Sequence, residues 1–568
     1  MTLTAFVLWA PLKARVFALL DPYSINGDAY QHIAPMWFSR QSNDTVADYT
    51  ARYYLKAIIP PVFKWTYAVA TIAYAPAIAA KIITVLLSFG FITLSALSAF
   101  RLAGASAAAL AFFMASAGVI KSMPFMGGIQ RGFGFFLLSL ALYLGIQGRL
   151  VGLMVLSVVA TSFYPAAGVF LLTTLGLLSL LPKQYRGSIS SWGLKKRFVS
   201  LGLSAVFSAL TVAPLLWNGS EYGERLSISA EREFAEWGPR GRYTQGDRGV
   251  PTDFFVKVPR EIANLISGVK AKRTARLADE SAISDALYHL ENRIEAGIVM
   301  LLTAAIGLVL LVKYRSAISP HALRCLIFGV AMPISFLAAT LSFPLLYIPS
   351  RYIGLGVVCL TPVIFPAIWG AAIHALSFKL KPALKEVTTA ICGALIIIYL
   401  GWPWLQVKRL STFSAHGALL SFIDKLPGNV VIASWPVGVI NAVPLYTGKQ
   451  VLVFGEGHQV FHRDFLLEMR RRTRAIIAAY SAVTPEPIIA LARDYKVTHL
   501  IINSADLISP PEYFEPFGSE SRQARQMVGS SPLFLSELIR DRAVFKSARH
   551  TVVDIQNLAT ASVVTPSE

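Results

Sequence analysis

Asp21-Pro22-Tyr23-Ser24-Ile25-Asn26-Gly27-Asp28-Ala29-Tyr30-Gln31-His32 is a short polar stretch set directly behind the first apolar segment of the chain. Aromatic-rich, amphipathic sequence follows it, and then one apolar run after another. An ionisable residue that faces the inside of a membrane protein is a functional hypothesis by default, whereas one in a solvated loop is cheap. Which side of a membrane this stretch occupies, and what its carboxylates face, decides how the rest is read.

Working outward, composition settles the solvent. The 568 residues are 55% hydrophobic and 15% charged, with a mean hydropathy of +0.55. A soluble chain carries about 25% charged residues, so most of this length belongs in lipid. The formal charge of +20 would point to nucleic acid in a soluble protein. Here Lys and Arg cluster in short loops between apolar runs, as the positive-inside rule expects, and nucleic acid is excluded as a partner. Cys325, Cys359 and Cys392 all fall inside apolar segments, with no metal-ligand or disulfide-framework spacing. Lys13 and Arg15 come too late in the first run for the charged start of a cleavable signal.

A spanning helix needs roughly 20 mainly apolar residues. Candidates lie near 3–20, 76–100, 102–120, 133–148, 150–164, 165–181, 198–217, 294–312, 322–345, 352–376 and 387–405. Within 150–181, Tyr164-Pro165 marks either a tight turn between two crossings or a kink in one. Arg101, Arg149, Lys183 to Arg197, Lys313 to Arg315 and Lys379 to Lys385 fall on alternate loops. Placing those loops in the cytoplasm orients a multi-pass protein of about eleven spans in a plasma or inner membrane. It leaves 21–75, 121–132, 218–293, 346–351 and the tail outside. The first span is the weak point. Pro11 interrupts it, and Lys13 and Arg15 either snorkel or face a polar cavity, unless the true N-terminus lies upstream. Tyr53 to Tyr74, with Pro60-Pro61 and Lys64, reads as a helix lying on the outer surface. A twelfth span there is the alternative; it would put every later basic cluster outside.

From about residue 406 the pattern changes. Val430 to Ala433, Val451 to Phe454, His499 to Ile502 and His550 to Val553 read as strands. Ser414 to Leu426, Arg463 to Tyr480 and Glu486 to Tyr495 read as helices. The expected fold is a mainly α polytopic membrane domain, 1–405, with outer loops 21–75 and 218–293, followed by an extracytoplasmic α/β domain, 406–568. The Lys270 to Leu290 part of the second loop reads as amphipathic helix.

Several polar groups carry chemistry in this frame. Asp28 is placed to act as a general base, with Asp21 as a second acid of the same loop. Gln31 and His32 lie one helical turn past Asp28, so all three could face one cleft and bind substrate. Asp44 and Asp48 are four apart; they would cap the next helix or hold a divalent cation, and capping is the expected role. No cofactor motif is evident, and metal dependence stays open. Met126-Gly127-Gly128-Ile129-Gln130-Arg131 and Ile348-Pro349-Ser350-Arg351-Tyr352 are outer loops with one arginine each. A guanidinium fork grips phosphate, and glycines let a ligand approach the backbone, so Arg131, Arg351 and Tyr352 suit a lipid phosphate at the interface. The competing reading makes each arginine a headgroup anchor. Phe454-Gly455-Glu456-Gly457-His458 lacks full dinucleotide spacing. Arg470 to Arg474 reads as a solvated or headgroup-facing helix surface.

In this order the features resemble the GT-C superfamily of polytopic glycosyltransferases: Asn26-Gly27-Asp28-Ala29-Tyr30-Gln31-His32 after a first span, interfacial helices with Pro60-Pro61, the Arg131 loop, Pro349-Ser350-Arg351-Tyr352 at a late span, and an α/β tail. The tail from Leu426 to Asp506 looks like that of bacterial-type members. The resemblance covers nearly the whole chain and implies a membrane enzyme whose donor is a polyprenyl-phosphate-linked sugar. The acceptor would be a glycan, lipid or protein. Asp28 would then be the base, and Arg131 and Arg351 the phosphate ligands. A single acid suits one inverting displacement, since a retaining double displacement uses two. The chain departs from the pattern in lacking a tight acidic pair in the first loop. Two other classes stay open: a transporter or flippase, which would need broken spans or midplane charges, and a non-catalytic envelope-assembly protein that binds a partner through its tail.

Overall fold

The computed structural model describes residues 16–17, 19–121, 127–227, 230, 233–238, 240–242, 257–258, 320–343, 346, 348–377, 413–508, 510–529, 531–556 and 558. The expected spans 294–312 and 387–405, most of 3–20, the helix at 270–290 and Cys392 lie outside the described residues.

The first helices are α1 (Ala29–His32), α2 (Tyr49–Tyr53), α3 (Pro61–Ala70), α4 (Pro76–Lys121), α5 (Gln130–Ile146) and α6 (Leu150–Phe163). Next come α7 (Pro165–Leu180), α8 (Leu194–Gly219), α9 (Pro320–Leu341) and α10 (Ser350–Ser377). The tail holds α11 (Gly417–Asp424), β1 (Val431–Ser434), α12 (Val443–Thr447), β2 (Gln450–Val451), α13 (Arg463–Tyr480) and α14 (Glu486–Tyr495). It ends with β3 (His499–Asn503), α15 (Ser504–Ile508), α16 (Phe517–Val528), α17 (Phe534–Asp541), β4 (Ala543–Lys546) and β5 (His550–Asp554).

Two compact units result. One comprises Met1–Leu20, Lys81–Val212 and Arg248–Leu410; the other comprises Asp21–Ala80, Ala213–Asp247 and Ser411–Glu568.

The first unit is helical. Among the described residues, four helices are long and apolar enough to cross a membrane by length and composition: Pro76–Val119, Leu194–Tyr222, Pro320–Leu341 and Ser350–Ala372. The helical run α4 breaks at Ala103 and Gly104, where two spans were expected to meet. Gly104 takes φ 79°, a backbone shape that a β-carbon penalises. At Tyr164 the backbone is extended (φ −150°, ψ 97°), and Pro165 opens α7. Helices α6 and α7 pack on each other, so the feature is a turn between two helices rather than a kink in one. A β-carbon on Gly168 would lie 1.8 Å from Thr161 Oγ1, which is how near the two helices come at that turn. They have 14 and 16 residues, about 21 and 24 Å of rise, less than the roughly 30 Å hydrocarbon core.

At the far end of α5 the chain is basic and tightly tied. Gly148 and Gly187, at φ 74° and 59°, meet backbone to backbone, with Ser188 N–H donating to Gly148 O at 2.8 Å. Arg324 donates from Nε to Tyr185 O at 2.8 Å and from Nη1 to Ile146 O at 3.0 Å. Arg149, Lys183 and Arg186 lie in the same connections.

The second unit is built on a five-stranded sheet of order β2-β1-β3-β5-β4. Strand β1 runs parallel to β2 and β3, while β5 is antiparallel to β3 and β4. The parallel pairs follow from helical crossovers, since α12 joins β1 to β2 and α13 and α14 join β2 to β3. Ile432, Ala433, Leu500, Ile501, Val552 and Val553 form its buried centre. Strand β2 is shorter than the expected Val451 to Phe454. The edge strand β4 was not read from the sequence, because its residues alternate between half-buried and exposed with no apolar run. The first loop is tied into this unit. Phe413 N–H donates to Tyr23 O at 3.0 Å, and Trp37 Nε1 donates to Leu445 O at 2.8 Å. Helix α3 has 10 residues, about 15 Å of rise. That is too short to cross, which removes the twelfth-span reading of Tyr53 to Tyr74. It buries Phe63 and Tyr67 and leaves Trp65 and Val69 exposed.

Candidate active site

In the second unit, the four acids of the first loop have four different settings. Asp21 closes a turn: Oδ1 accepts from Tyr23 N–H at 3.0 Å and Oδ2 from Ser414 Oγ at 2.5 Å. Asp44 is exposed and pairs with Lys56, which also reaches Glu221 at 2.7 Å. Asp48 caps α2, its carboxylate accepting from Ala51 N–H at 2.7 Å. The helical spacing read for Asp44 and Asp48 is corrected here: both precede α2, and Val46 to Asp48 is non-helical, so the two carboxylates share no helix face. Among the described residues no group of three or more His, Cys, Asp or Glu side chains is arranged to hold a metal ion.

Asp28 differs. It stands at the N-cap of α1, yet its carboxylate makes no capping bond, and its own N–H is held by Asn26 Oδ1 at 3.1 Å. The residue is half-buried. One turn on, Gln31 Oε1 accepts from Gln459 Nε2 at 2.8 Å and from Tyr54 Oη at 3.2 Å. Gln459 also donates to Tyr54 Oη at 2.8 Å, and Tyr54 Oη donates to Glu456 O at 3.1 Å. His32 meets the Tyr54 ring edge-on, with centroids 6.2 Å apart. Burial first, moderated by the Gln459 hydrogen bond, pushes the Tyr54 phenol well above its usual value. A neutral, polar cluster therefore anchors the helix that carries Asp28. Gln31 and His32 are elements of that anchor. Sequence reading missed Tyr54 and Gln459; the turn at Gly455–Gly457 was the one available signal. That turn spends its N–H groups internally, Gly455 on Pro436 O at 2.8 Å and Glu456 on Asn441 Oδ1 at 3.0 Å. Arg242 closes the cluster on Glu456 Oε2 at 3.2 Å.

The expected solvated face at Arg470 to Arg474 is corrected. Arg470 grips the buried Glu236, Arg472 pairs with Glu468 at 2.7 Å, and Arg474 pairs with Glu520 at 2.7 Å. Arg471 and Arg474 keep the expected exposure, so the correction falls on Arg470 and Arg472. The run had to serve a loop more than two hundred residues away, which a helix pattern does not reveal.

In the first unit, Arg131 and Arg351 are each the second residue of a helix, α5 and α10. Both are half-buried. The two first turns abut: a β-carbon on Gly134 would lie 3.4 Å from Leu355 Cδ2 and 2.6 Å from Tyr164 Cδ1. Phe133 stacks on Phe163 at 4.6 Å between centroids. The N-termini of α5, α7 and α10 thus gather at one end of the bundle, opposite the basic end around Gly148. Helix N-termini carry positive partial charge, so this end combines two guanidinium groups with three favourable dipoles. The glycines of the Gly127-Gly128 turn were expected to let a ligand approach the backbone, but the structure commits their N–H groups elsewhere. Both donate to Thr84 Oγ1, at 2.9 and 2.7 Å, with φ of 104° and 60°. Tyr352 is fully buried and its hydroxyl donates to Leu346 O at 3.0 Å, so it fixes the preceding loop.

No family model matches the chain, and no curated protein matches it by sequence. Solved structures do. The crystal structure of ArnT from Cupriavidus metallidurans bound to undecaprenyl phosphate superposes with a TM-score of 0.52 at 14% identity, covering 99% of this chain and 100% of the other. The same protein in the apo state gives 0.50 at 14% identity, covering all of both chains. The chain shares the fold of ArnT along its whole length. The long apolar helices among the described residues fit a membrane protein of that fold. An oligosaccharyltransferase from Archaeoglobus fulgidus, crystallised with zinc and sulfate, is more distant, with a TM-score of 0.47 at 11% identity over 88% of this chain and 68% of its own.

Proposed function

We propose that the chain is a membrane glycosyltransferase that uses a polyprenyl-phosphate-linked sugar and transfers it to an extracytoplasmic glycan, lipid or protein by a single inverting displacement. The observation that carries this reading is the gathering of Arg131 and Arg351 at the shared N-terminal end of α5, α7 and α10. A phosphate monoester or diester is the ligand such an end suits, because bidentate arginine bonds and helix dipoles add there. The similar ArnT structure that contains undecaprenyl phosphate supports a lipid carrier as the source.

The opposite, lysine- and arginine-rich end of α5 is the cytoplasmic one by the positive-inside bias. That orientation puts Arg131 and Arg351 on the outer side of a plasma or inner membrane. Arg131 and Arg351 hold the phosphate of the donor and offset the charge that grows on it as the sugar leaves. Asp28 accepts the proton of the acceptor hydroxyl as the new bond forms at the anomeric carbon. Trp65 and Val69 on the short α3 suit headgroup level.

The deciding experiment reconstitutes the full chain in nanodiscs with undecaprenyl-phosphate-linked sugars and follows release of the lipid phosphate. The native protein turns over one such donor, and Asp28→Asn binds the donor without turning it over. A stably inserted Asp28→Asn protein with native turnover overturns the assignment of the base.

A further inference from the structure

We infer that a polar cleft beside the edge strand β2 is a binding site for a neutral saccharide, independent of the chemistry assigned to Asp28. The cleft lies wholly in the second unit and has a volume of about 550 Å³, inside the roughly 300–1,000 Å³ span of small-molecule sites. One side is the start of α2 with Asp48 and Tyr49, the floor is strand β2, and the far side is α13 with Glu468, Arg471 and Arg472. Tyr495 and Lys496 form the rim at the end of α14.

Three features select the ligand class. First, charge is balanced: Arg471, Arg472 and Lys496 face Asp48, Glu468 and Asp494 across the lining. Four of those groups are also held within the wall, and Asp494 pairs with Arg493 beside it. Arg472 Nε donates to Glu468 Oε1 at 2.7 Å, Arg471 pairs with the same carboxylate, and Asp48 is held by Ala51 N–H. A phosphate or carboxylate gains little from such a site, and an apolar ligand gains nothing from walls this polar.

Second, the array is rigid. The Arg472 guanidinium lies over the Tyr49 ring at 4.7 Å and points Nη1 at Leu452 O, 3.5 Å away. Side chains of Glu468 and Arg472 are only 13% and 17% exposed. Donors and acceptors fixed before binding spare the ligand the cost of ordering them. Alternating donors and acceptors without net charge match the hydroxyls of a sugar ring, each of which both donates and accepts.

Third, the rim is shaped for a polar guest with apolar patches. Tyr495 is half-buried in the lining, an aromatic ring of the type that packs on the C–H side of a pyranose. Lys496 sits at φ 57°, the left-handed region that favours glycine.

The test is saturation-transfer NMR on the full chain in nanodiscs free of sugar detergents. The probes are lactose, maltose and diacetylchitobiose at millimolar concentration, with inorganic phosphate as the anion control. At least one disaccharide binds saturably, and phosphate does not displace it. Arg471→Ala and Tyr495→Ala each weaken that binding about tenfold, while Asp28→Asn leaves it unchanged. Arg471 is 71% exposed, so its variant keeps the fold even if Tyr495→Ala does not. Failure of all three sugars to saturate, displacement by phosphate, native affinity in Arg471→Ala, or lost affinity in Asp28→Asn overturns the inference.

Discussion

Arg470 and Glu236 form a two-pronged ion pair: Nε meets Oε1 and Nη2 meets Oε2, both at 2.6 Å, with the Glu236 carboxylate fully buried. The same guanidinium lies over the Phe234 ring at 4.8 Å. Neighbouring Trp237 donates Nε1–H to Val460 O at 3.0 Å. The pair therefore pins the loop at Phe234 to Trp237 onto α13.

Removing one partner leaves the other charge buried without compensation, which costs about 3 kcal/mol or more. Arg470→Ala is expected to lower the thermal midpoint of the second unit by many degrees. Arg471→Ala, one position along, changes it little, since an exposed pair contributes about 0–1 kcal/mol. Thermal unfolding of the two variants side by side, followed by tryptophan fluorescence, checks the contrast.

Asp28→Asn keeps the size and the α1 N-cap position while abolishing basicity. A positioned general base contributes roughly 10²–10⁴-fold to rate. The expected result is a kcat loss of that order with the donor KM nearly unchanged. Asp21→Asn and Asp44→Asn act on a turn and on a surface pair, and are expected to retain most activity.

Arg131→Ala and Arg351→Ala are expected to raise the donor KM about tenfold or more each, in line with charge-assisted bonds of about 1.5–3 kcal/mol. If both grip one phosphate, the double variant loses less than the sum of the two losses, because the first deletion already misplaces the ligand. Steady-state kinetics of the three variants measure that coupling. Lysine at either position restores charge but not the planar fork, so rescue is partial.

Thr84→Val removes the acceptor shared by Gly127 and Gly128. Two buried N–H groups are then unsatisfied, at about 1–3 kcal/mol each. The turn that sets Arg131 loosens. A lower melting temperature accompanied by a raised donor KM is expected, and Thr84→Ser, which keeps the hydroxyl, restores both.

Acid is expected to destabilise the second unit through buried histidines. Burial, with Arg242 and Arg470 adding to it, pushes His458 from 6.5 down to about 3. Burial and Arg225 take His462 to about 4, and burial, His416 and Arg549 take His550 to about 4. Between those values and 6.5 the unfolded chain binds protons that the folded one refuses, so stability rises with pH across that window. The contribution is complete above about pH 6.5 and is lost as pH falls towards 4. Melting temperatures read from pH 8 to pH 4.5 should drop steeply below 6.5, and His458→Gln should flatten the slope.

Much of the architecture was legible in the chain. The apolar runs near 133–148, 322–345 and 352–376 became α5, α9 and α10 within a few residues, because a run of one character ends where solvent or a turn begins. The break between 100 and 102 reappears at Ala103 and Gly104, and Tyr164-Pro165 separates two helices. Helices α13 and α14 start and stop where their periodicity does. Strand β4 escaped notice because an edge strand carries no continuous apolar signal.

By itself the sequence determined the apolar runs and most of the element types: hydropathy and period are local properties and survive without partners. Only the tertiary structure decided who meets whom. Gln31 is held by Gln459, 428 positions away, and Glu236 is matched to Arg470 across 234. Gly127 and Gly128 hand their N–H groups to Thr84 instead of a ligand. A periodic pattern says which face of a helix is buried, but a hydrogen bond is directional and needs one specific atom within about 3 Å. That atom is chosen by the packing of distant elements.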